Sequence, residues 1–166
     1  MTSRCIYVAV CGPDPASEHV AAQCETIGRL LAREGAVVVC GGLGGAMEAV
    51  ARGCAQESGT SIGILPGPNR VGANPHLSFV IPTGMGEARN ALVARSADVV
   101  IAVAGEFGTL SEIAIALKMG VPVVGLDTWE LSKAGAVSNE IVRASTPEEA
   151  VAAALRLAAG AGAAER

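Results

Sequence analysis

The sequence predicts a doubly wound, mostly parallel α/β sheet covered on both faces, a three-layer sandwich. Three observations predict it. Short runs rich in Val, Ile and Ala carry no polar face, as strands buried from both sides do. Segments of helical period alternate with those runs. Glycine clusters follow the runs, and ligands of such sheets gather outside the carboxyl ends of the strands.

The elements follow in order. Cys5-Ile6-Tyr7-Val8-Ala9-Val10 is the first strand, ended by Gly12-Pro13. Asp14-Pro15 offers a helix N-cap with proline at the first helical position. From Ser17 to Glu34, Val20, Ile27, Leu30 and Leu31 form a helical stripe, and Gly35 stops it. Ala36 to Cys40 is a second strand, and Ala46 to Glu57 a second helix. Ser61 to Leu65 is a third strand, closed by Pro66-Gly67-Pro68. The stretch from Asn69 to His76 has no period. Phe79 to Ile81 is a fourth strand, and Glu87 to Ser96 one helix. Asp98 to Val103 is the most apolar strand, leading to a helix that ends at Met119. Val121 to Leu126 is a further strand, and Ile141-Val142-Arg143 a short last one. Thr146-Pro147-Glu148-Glu149 is a capping box that opens a closing Ala-rich helix. The reading is one domain over 1–166, frayed after about residue 160.

Composition narrows the function. Hydrophobic types make up 51% and charged types 17% of the 166 residues. So few charges coat a monomer poorly, which points to a homodimer or homotetramer. The net charge is −4, and no basic stripe or row of stacking aromatics exists, which argues against a nucleic-acid polymer as partner. The five cysteines include no Cys-x-x-Cys and read as free thiols in a reducing cytoplasm. His19 and His76 stand far apart, so no metal site is expected. The first residues run straight into a strand with no signal peptide, and no 18-residue apolar stretch exists, so no membrane partner is expected.

Three loops carry the chemistry: Gly41-Gly42-Leu43-Gly44-Gly45, Thr83-Gly84-Met85-Gly86 and Gly105-Glu106-Phe107-Gly108-Thr109. Each joins a strand end to a helix start, where close backbone approach and unpaired helix amides make an anion cradle. The P-loop signature is absent, and Met47 stands where a dinucleotide fingerprint needs its third glycine. Arg89 lies one turn into the helix after the second loop. It is either a surface arginine or the cation of a pocket. Glu112 follows Thr109 at capping-box spacing. It either ties back to that backbone or faces Arg89 across the glycine floor.

These residues resemble a known family. Gly41-Gly42-x-x-Gly45-x-Met47, Met85-x-x-x-Arg89-Asn90 and Gly105-x-x-Gly108-Thr109-Leu110-x-Glu112 are similar to the Lonely Guy superfamily, once mislabelled lysine decarboxylases. Gly63-Ile64-Leu65-Pro66-Gly67, Ala73-Asn74-Pro75 and Pro82 to Asn90 resemble its short branch, which includes the molybdenum cofactor carrier protein. The resemblance implies a modified Rossmann fold, a dimer or higher assembly, and a small phosphorylated ligand, AMP-like or molybdopterin, with no required cofactor. It implies Arg89 and Glu112 as catalytic residues. Phosphate or nucleotide contacts would come from Gly41, Gly42, Gly45, Met85, Gly105, Gly108 and Thr109. A decarboxylase using pyridoxal phosphate needs a Schiff-base lysine, and neither Lys118 nor Lys133 follows a strand beside a cradle.

The superfamily's enzymes hydrolyse the N-glycosidic bond of a nucleoside 5′-monophosphate. A carboxylate there steadies the oxocarbenium ion and orients water, and an arginine holds the ligand. Hydrolysis is therefore the first expectation. The alternative is a non-catalytic carrier or sensor of a phosphorylated pterin or nucleotide. Three departures bear on the choice. Ala104 and Glu106 replace the proline and second glycine of the Pro-Gly-Gly-x-Gly-Thr loop, and Asn90 replaces a lysine. A carboxylate about 6 Å from a phosphate costs about 3 kcal/mol per unit charge at an effective dielectric of about 20. Glu106 then points to solvent, or the ligand is less anionic than AMP, or the site has decayed.

Overall fold

The computed structural model describes residues 5–164. Its strands are β1 (Tyr7–Cys11), β2 (Val37–Cys40), β3 (Thr60–Leu65), β4 (Phe79–Pro82), β5 (Val99–Val103), β6 (Val123–Leu126), β7 (Ser132–Lys133), β8 (Ala136–Val137) and β9 (Ile141–Ala144). Seven of them form one sheet in the order β4-β3-β2-β1-β5-β6-β9. Every neighbouring pair in that sheet is parallel. The predicted fold class is therefore the one observed.

Alternation along the strands sorts the core into two layers. Val8, Val10, Val38, Cys40, Ile101 and Val103 face three helices, α1 (Glu18–Arg33), α2 (Gly45–Gln56) and α5 (Pro147–Ala164). Ala9, Cys11, Val39, Val100 and Ala102 face the other two, α3 (Asn90–Arg95) and α4 (Phe107–Lys118). Ile27 and Leu31 on α1 are fully buried, a stabilisation of about 1.5–3 kcal/mol each. The α1–α2 contact is close because glycine stands on both sides of it. A Cβ on Gly28 would come 2.1 Å from the Val50 carbonyl oxygen, and one on Gly53 would come 2.0 Å from that of Glu25.

The chain lays β2, β3 and β4 to one side of β1, then crosses to lay β5 on the other. The order reverses between β1 and β5, so a crevice opens beyond their carboxyl ends. The loops after β1, β2 and β5 reach it.

Four expectations need correction. Ser17, not Asp14, caps α1, its hydroxyl accepting from the Val20 amide at 3.2 Å. Asp14–Pro15 is a cis peptide and precedes the helix. The helix read over 87–96 is broken into a 3₁₀ turn at Gly86–Arg89 followed by α3. Two tight turns at Gly84 and Gly86, both with positive φ, delay the α-helical start. The loose segment after β6 holds a two-stranded antiparallel hairpin, β7 with β8. The capping box at Thr146 is shifted. Thr146 Oγ1 accepts from the Glu149 amide, but the Glu149 carboxylate reaches back to the Ser145 amide at 2.8 Å. The closing helix, α5, spans Pro147–Ala164. Residues 1–4, where the absence of a leader is read, and residues 165–166 lie outside the described residues.

Candidate functional site

A pocket of about 250 Å³ occupies the crevice at the β1/β5 reversal. Arg89, Glu112, Gly41, Gly108 and Thr109 line it, together with Cys11, Asp14, Met47, Glu87, Asn90 and Glu106. The fold brings Arg89 and Glu112 from separate helices to this place. Arg89 ends the 3₁₀ turn and is 6% exposed; Glu112 is in the second turn of α4 and is 7% exposed. Arg89 Nη1 lies 3.8 Å from Glu112 Oε1. Thr109 lies inside α4, whose N-cap is Glu106, so the capping-box alternative for Glu112 does not hold.

Arg89 is fixed from two sides. Nη1 donates to Asn90 Oδ1 at 3.0 Å, Asn90 Nδ2 donates to Ser111 Oγ at 2.9 Å, and Ser111 Oγ donates to the Gly108 carbonyl at 2.7 Å. This chain ties the guanidinium to the first turn of α4. Asn90 thus supplies an acceptor that a lysine would lack. Gly41 provides the floor: a Cβ there would sit 2.5 Å from Arg89 Nη1. Arg89 Nε is buried with no hydrogen-bond partner among the described residues. An orphaned buried donor beside a pocket is a group awaiting an acceptor.

Burial pushes the Glu112 carboxyl up to about 7, while a hydrogen bond from the Cys11 thiol and the charge of Arg89 pull it down. Burial also raises the Cys11 thiol, and the Glu112 carboxylate raises it further. Cys40 is pushed up to about 12, first by burial. These thiols stay protonated, so Cys11 serves Glu112 as a hydrogen-bond donor. Sequence reasoning places Cys11 among small core residues; no local signal links it to a glutamate on a distant helix.

The three glycine loops do not act alike. At the start of α2 the chain fills its own cradle: the Ala46 amide donates to the Pro13 carbonyl at 3.0 Å, and the Asp14 carboxylate lies over Gly44. In the second loop, the Gly84 and Gly86 amides donate to the Gly67 and Pro66 carbonyls. Met85 is 47% exposed and does not line the pocket. Gly42 and Gly45 do not line it either. Gly42, at φ +77°, packs its backbone against Leu65 and Gly63, and Gly45 lies against Pro13 and Asp14. Gly105, at φ +109°, lies outside the pocket wall and faces a second cleft. The third loop remains. No side chain among the described residues caps α4, and a Cβ on Gly108 would meet nothing within 4 Å. Gly108 and Thr109, in the first turn of α4, line the pocket, with the positive end of the helix behind them.

The departures at this loop have structural explanations. Ala104 has φ +47°, which proline's ring cannot adopt. Glu106 has φ −101°, an ordinary value, so no glycine is required. Its side chain is exposed at the pocket rim.

With this geometry in place, the chain can be set beside known proteins. The model of the SLOG cluster4 family matches residues 5–151. The chain belongs to the SLOG cluster4 family. An uncharacterized protein of Archaeoglobus fulgidus is 38% identical over 148 residues, covering 89% of this chain and 93% of the relative. The molybdenum cofactor binding protein of Rippkaea orientalis is 34% identical, with a TM-score of 0.86 over 94% of this chain and 99% of that one. The molybdenum cofactor carrier protein of Chlamydomonas reinhardtii is 31% identical, with a TM-score of 0.82 over 94% of this chain and 99% of that one. This SLOG chain thus has the Lonely Guy-like fold of the molybdenum cofactor carrier family.

The expectation of N-glycosidic hydrolysis is corrected by these relatives, which are described as cofactor-binding and cofactor-carrier proteins and not as hydrolases. In this chain burial raises the Glu112 carboxyl, which is held between the Cys11 thiol and Arg89. No group of three or more His, Cys, Asp or Glu among the described residues could hold a metal ion. No helix among them is long and apolar enough to cross a membrane.

Proposed function

We propose that this protein is a non-catalytic carrier of a phosphorylated pterin or nucleotide of the molybdopterin class. The observation that carries the reading is the open first turn of α4, with Gly108 and Thr109 facing a pocket whose cation, Arg89, has an orphaned Nε. The amides and Arg89 hold the phosphate. Gly41 supports that role by seating Arg89. Gly42, Gly45 and Gly105 shape the loops, and Met85 stands apart. The similarity to molybdenum cofactor binding and carrier proteins supports the ligand class.

Asp14, Glu87, Glu106 and Glu112 also line the pocket. Carboxylates repel a bare polyanion, so this lining suits a ligand that joins one phosphate to a ring bearing N–H donors. It also disfavours a nucleic-acid polymer, as does the net charge of −4. A homodimer or homotetramer in the cytoplasm fits the remaining features. Phe79 and Ile81 pair in register with Ile62 and Ile64, so they extend the α3/α4 face of the sheet, and they are 60% and 48% exposed. All five cysteines are free thiols.

Protein isolated without denaturation should retain a phosphorylated pterin or nucleotide, identified intact by mass spectrometry. A protein that carries none, and gains no thermal stability from pterin phosphates or nucleoside monophosphates, would refute the reading.

A further inference from the structure

Four acidic side chains line the pocket, and they are not alike. Asp14, Glu87 and Glu106 are exposed, where water and salt screen them. Glu112 is buried, beside the cation that an anionic ligand needs. A phosphate seated on Arg89 and the first turn of α4 leaves this buried acid without a part of its own.

The neighbours of Glu112 compensate its charge poorly. Arg89 Nη1 stops 3.8 Å from Oε1, too far for a hydrogen bond, and donates instead to Asn90 Oδ1 at 3.0 Å. The Cys11 thiol, at the end of β1, does donate to the carboxylate, but sulfur is a weak donor. Glu87, on the same 3₁₀ turn as Arg89, adds a like charge. Cys40, on β2, lies within electrostatic reach as well. Burial holds both thiols protonated, and no histidine lines the pocket. Burial places the Glu112 carboxyl at about 7, so Glu112 is the group here that changes charge across the neutral range.

An anion that reaches Arg89 in a pocket of about 250 Å³ also comes close to Glu112. Two like charges held together away from water do not both stay ionised. One proton between them removes the conflict and turns a repelling acceptor into a hydrogen-bond donor.

We propose that Glu112 makes phosphate binding proton-coupled: the ligand enters together with one proton, which Glu112 takes from solvent and offers to a phosphate oxygen. The proposal rests on the carrier reading above and adds a means of release to that site. In the balance, one O–H bond forms on the Glu112 carboxylate and no bond of the ligand breaks. Loss of that proton restores a negative charge beside the phosphate and expels it. Cargo is therefore held at and below neutrality and let go as the local pH rises.

Ribose 5-phosphate is the probe, because its second ionisation, at about 6, leaves it a dianion from pH 7 to pH 9. Calorimetry in two buffers of different ionisation enthalpy counts the protons taken up with each ligand. The parent should take up about one proton at pH 8.5, and its affinity should fall about tenfold or more between pH 7 and pH 9. Glu112→Gln, a neutral mimic of the protonated acid, should take up none and bind equally across that range. At pH 9 it should bind about tenfold or more tightly than the parent, whereas loss of a merely structural residue would not raise affinity. Binding by the parent with no proton uptake and no pH dependence overturns the coupling and leaves the phosphate reading standing. Absence of binding at pH 7 in both proteins refutes the phosphate reading, and the coupling with it. Should Glu112→Gln fail to fold, the proton count of the parent decides.

Discussion

Arg89 and Glu112 meet at 3.8 Å, with side chains only 8% and 9% exposed, at the end of the sheet where strand order reverses. One comes from a 3₁₀ turn, the other from α4, and Asn90 and Ser111 join the two elements by hydrogen bonds. The pair couples the cation of the site to its buried acid, so a change at either residue reaches both ligand binding and stability.

Glu112 gives a pH dependence with a definite sign. Its folded pKa, about 7, lies above the ordinary carboxyl value of 4.5. Between those values the native state binds more protons than the unfolded state, so stability falls as pH rises and levels off above about 7. A shift of that size corresponds to about 3 kcal/mol over the whole window. Urea unfolding of the parent at pH 5 and pH 8 should show this loss. Glu112→Gln, which mimics the protonated acid, should show a much smaller difference between the two pH values. An equal loss in both proteins would assign the effect elsewhere.

Gly41→Ala tests how Arg89 is seated. The new methyl would press on the guanidinium tip, at 2.5 Å from Nη1, and on Met47 Sδ at 2.6 Å. Both are ends of flexible side chains, so the fold should lose only about 1 kcal/mol. Displacement of the guanidinium should weaken ribose 5-phosphate about tenfold, measured by calorimetry.

Gly108→Ala separates site from fold in the opposite way. Its Cβ would meet no atom of the described residues within 4 Å, and alanine favours helix, so the melting temperature should hold or rise by the equivalent of about 0.5–1 kcal/mol. The methyl stands where the phosphate is proposed to sit, so affinity should drop about tenfold or more. Unchanged affinity would remove the first turn of α4 from the site.

Gly28→Ala and Gly53→Ala should damage stability and leave the pocket's chemistry intact in whatever protein folds. Their methyls would run into backbone of the partner helix, at 2.1 Å and 2.0 Å, and backbone cannot yield without separating α1 from α2. The expected loss is about 3 kcal/mol or more for each, read by denaturant midpoints.

The sequence alone determines the architecture. Runs such as Val37 to Cys40 and Val99 to Val103 have no polar face, and only a strand covered on both sides can use them. It also picks out Arg89 and Glu112, because each stands at a set distance from a glycine loop that ends a strand. Local rules fail where a tertiary contact competes. Asp14 looks like an N-cap for α1, yet it lies over Gly44, at the start of α2. The second loop looks like an anion cradle, yet the Pro66–Pro68 turn takes its amides.

Those outcomes belong to the tertiary structure, because amides at a glycine turn donate to whichever acceptor the fold brings within reach, and at two of the three loops that acceptor is a neighbouring segment of the chain. Which of three similar loops stays open, and that Cys11 donates to Glu112, both depend on strand order. Strand order is set by which apolar faces pack together across the whole chain, and no spacing within one segment records it.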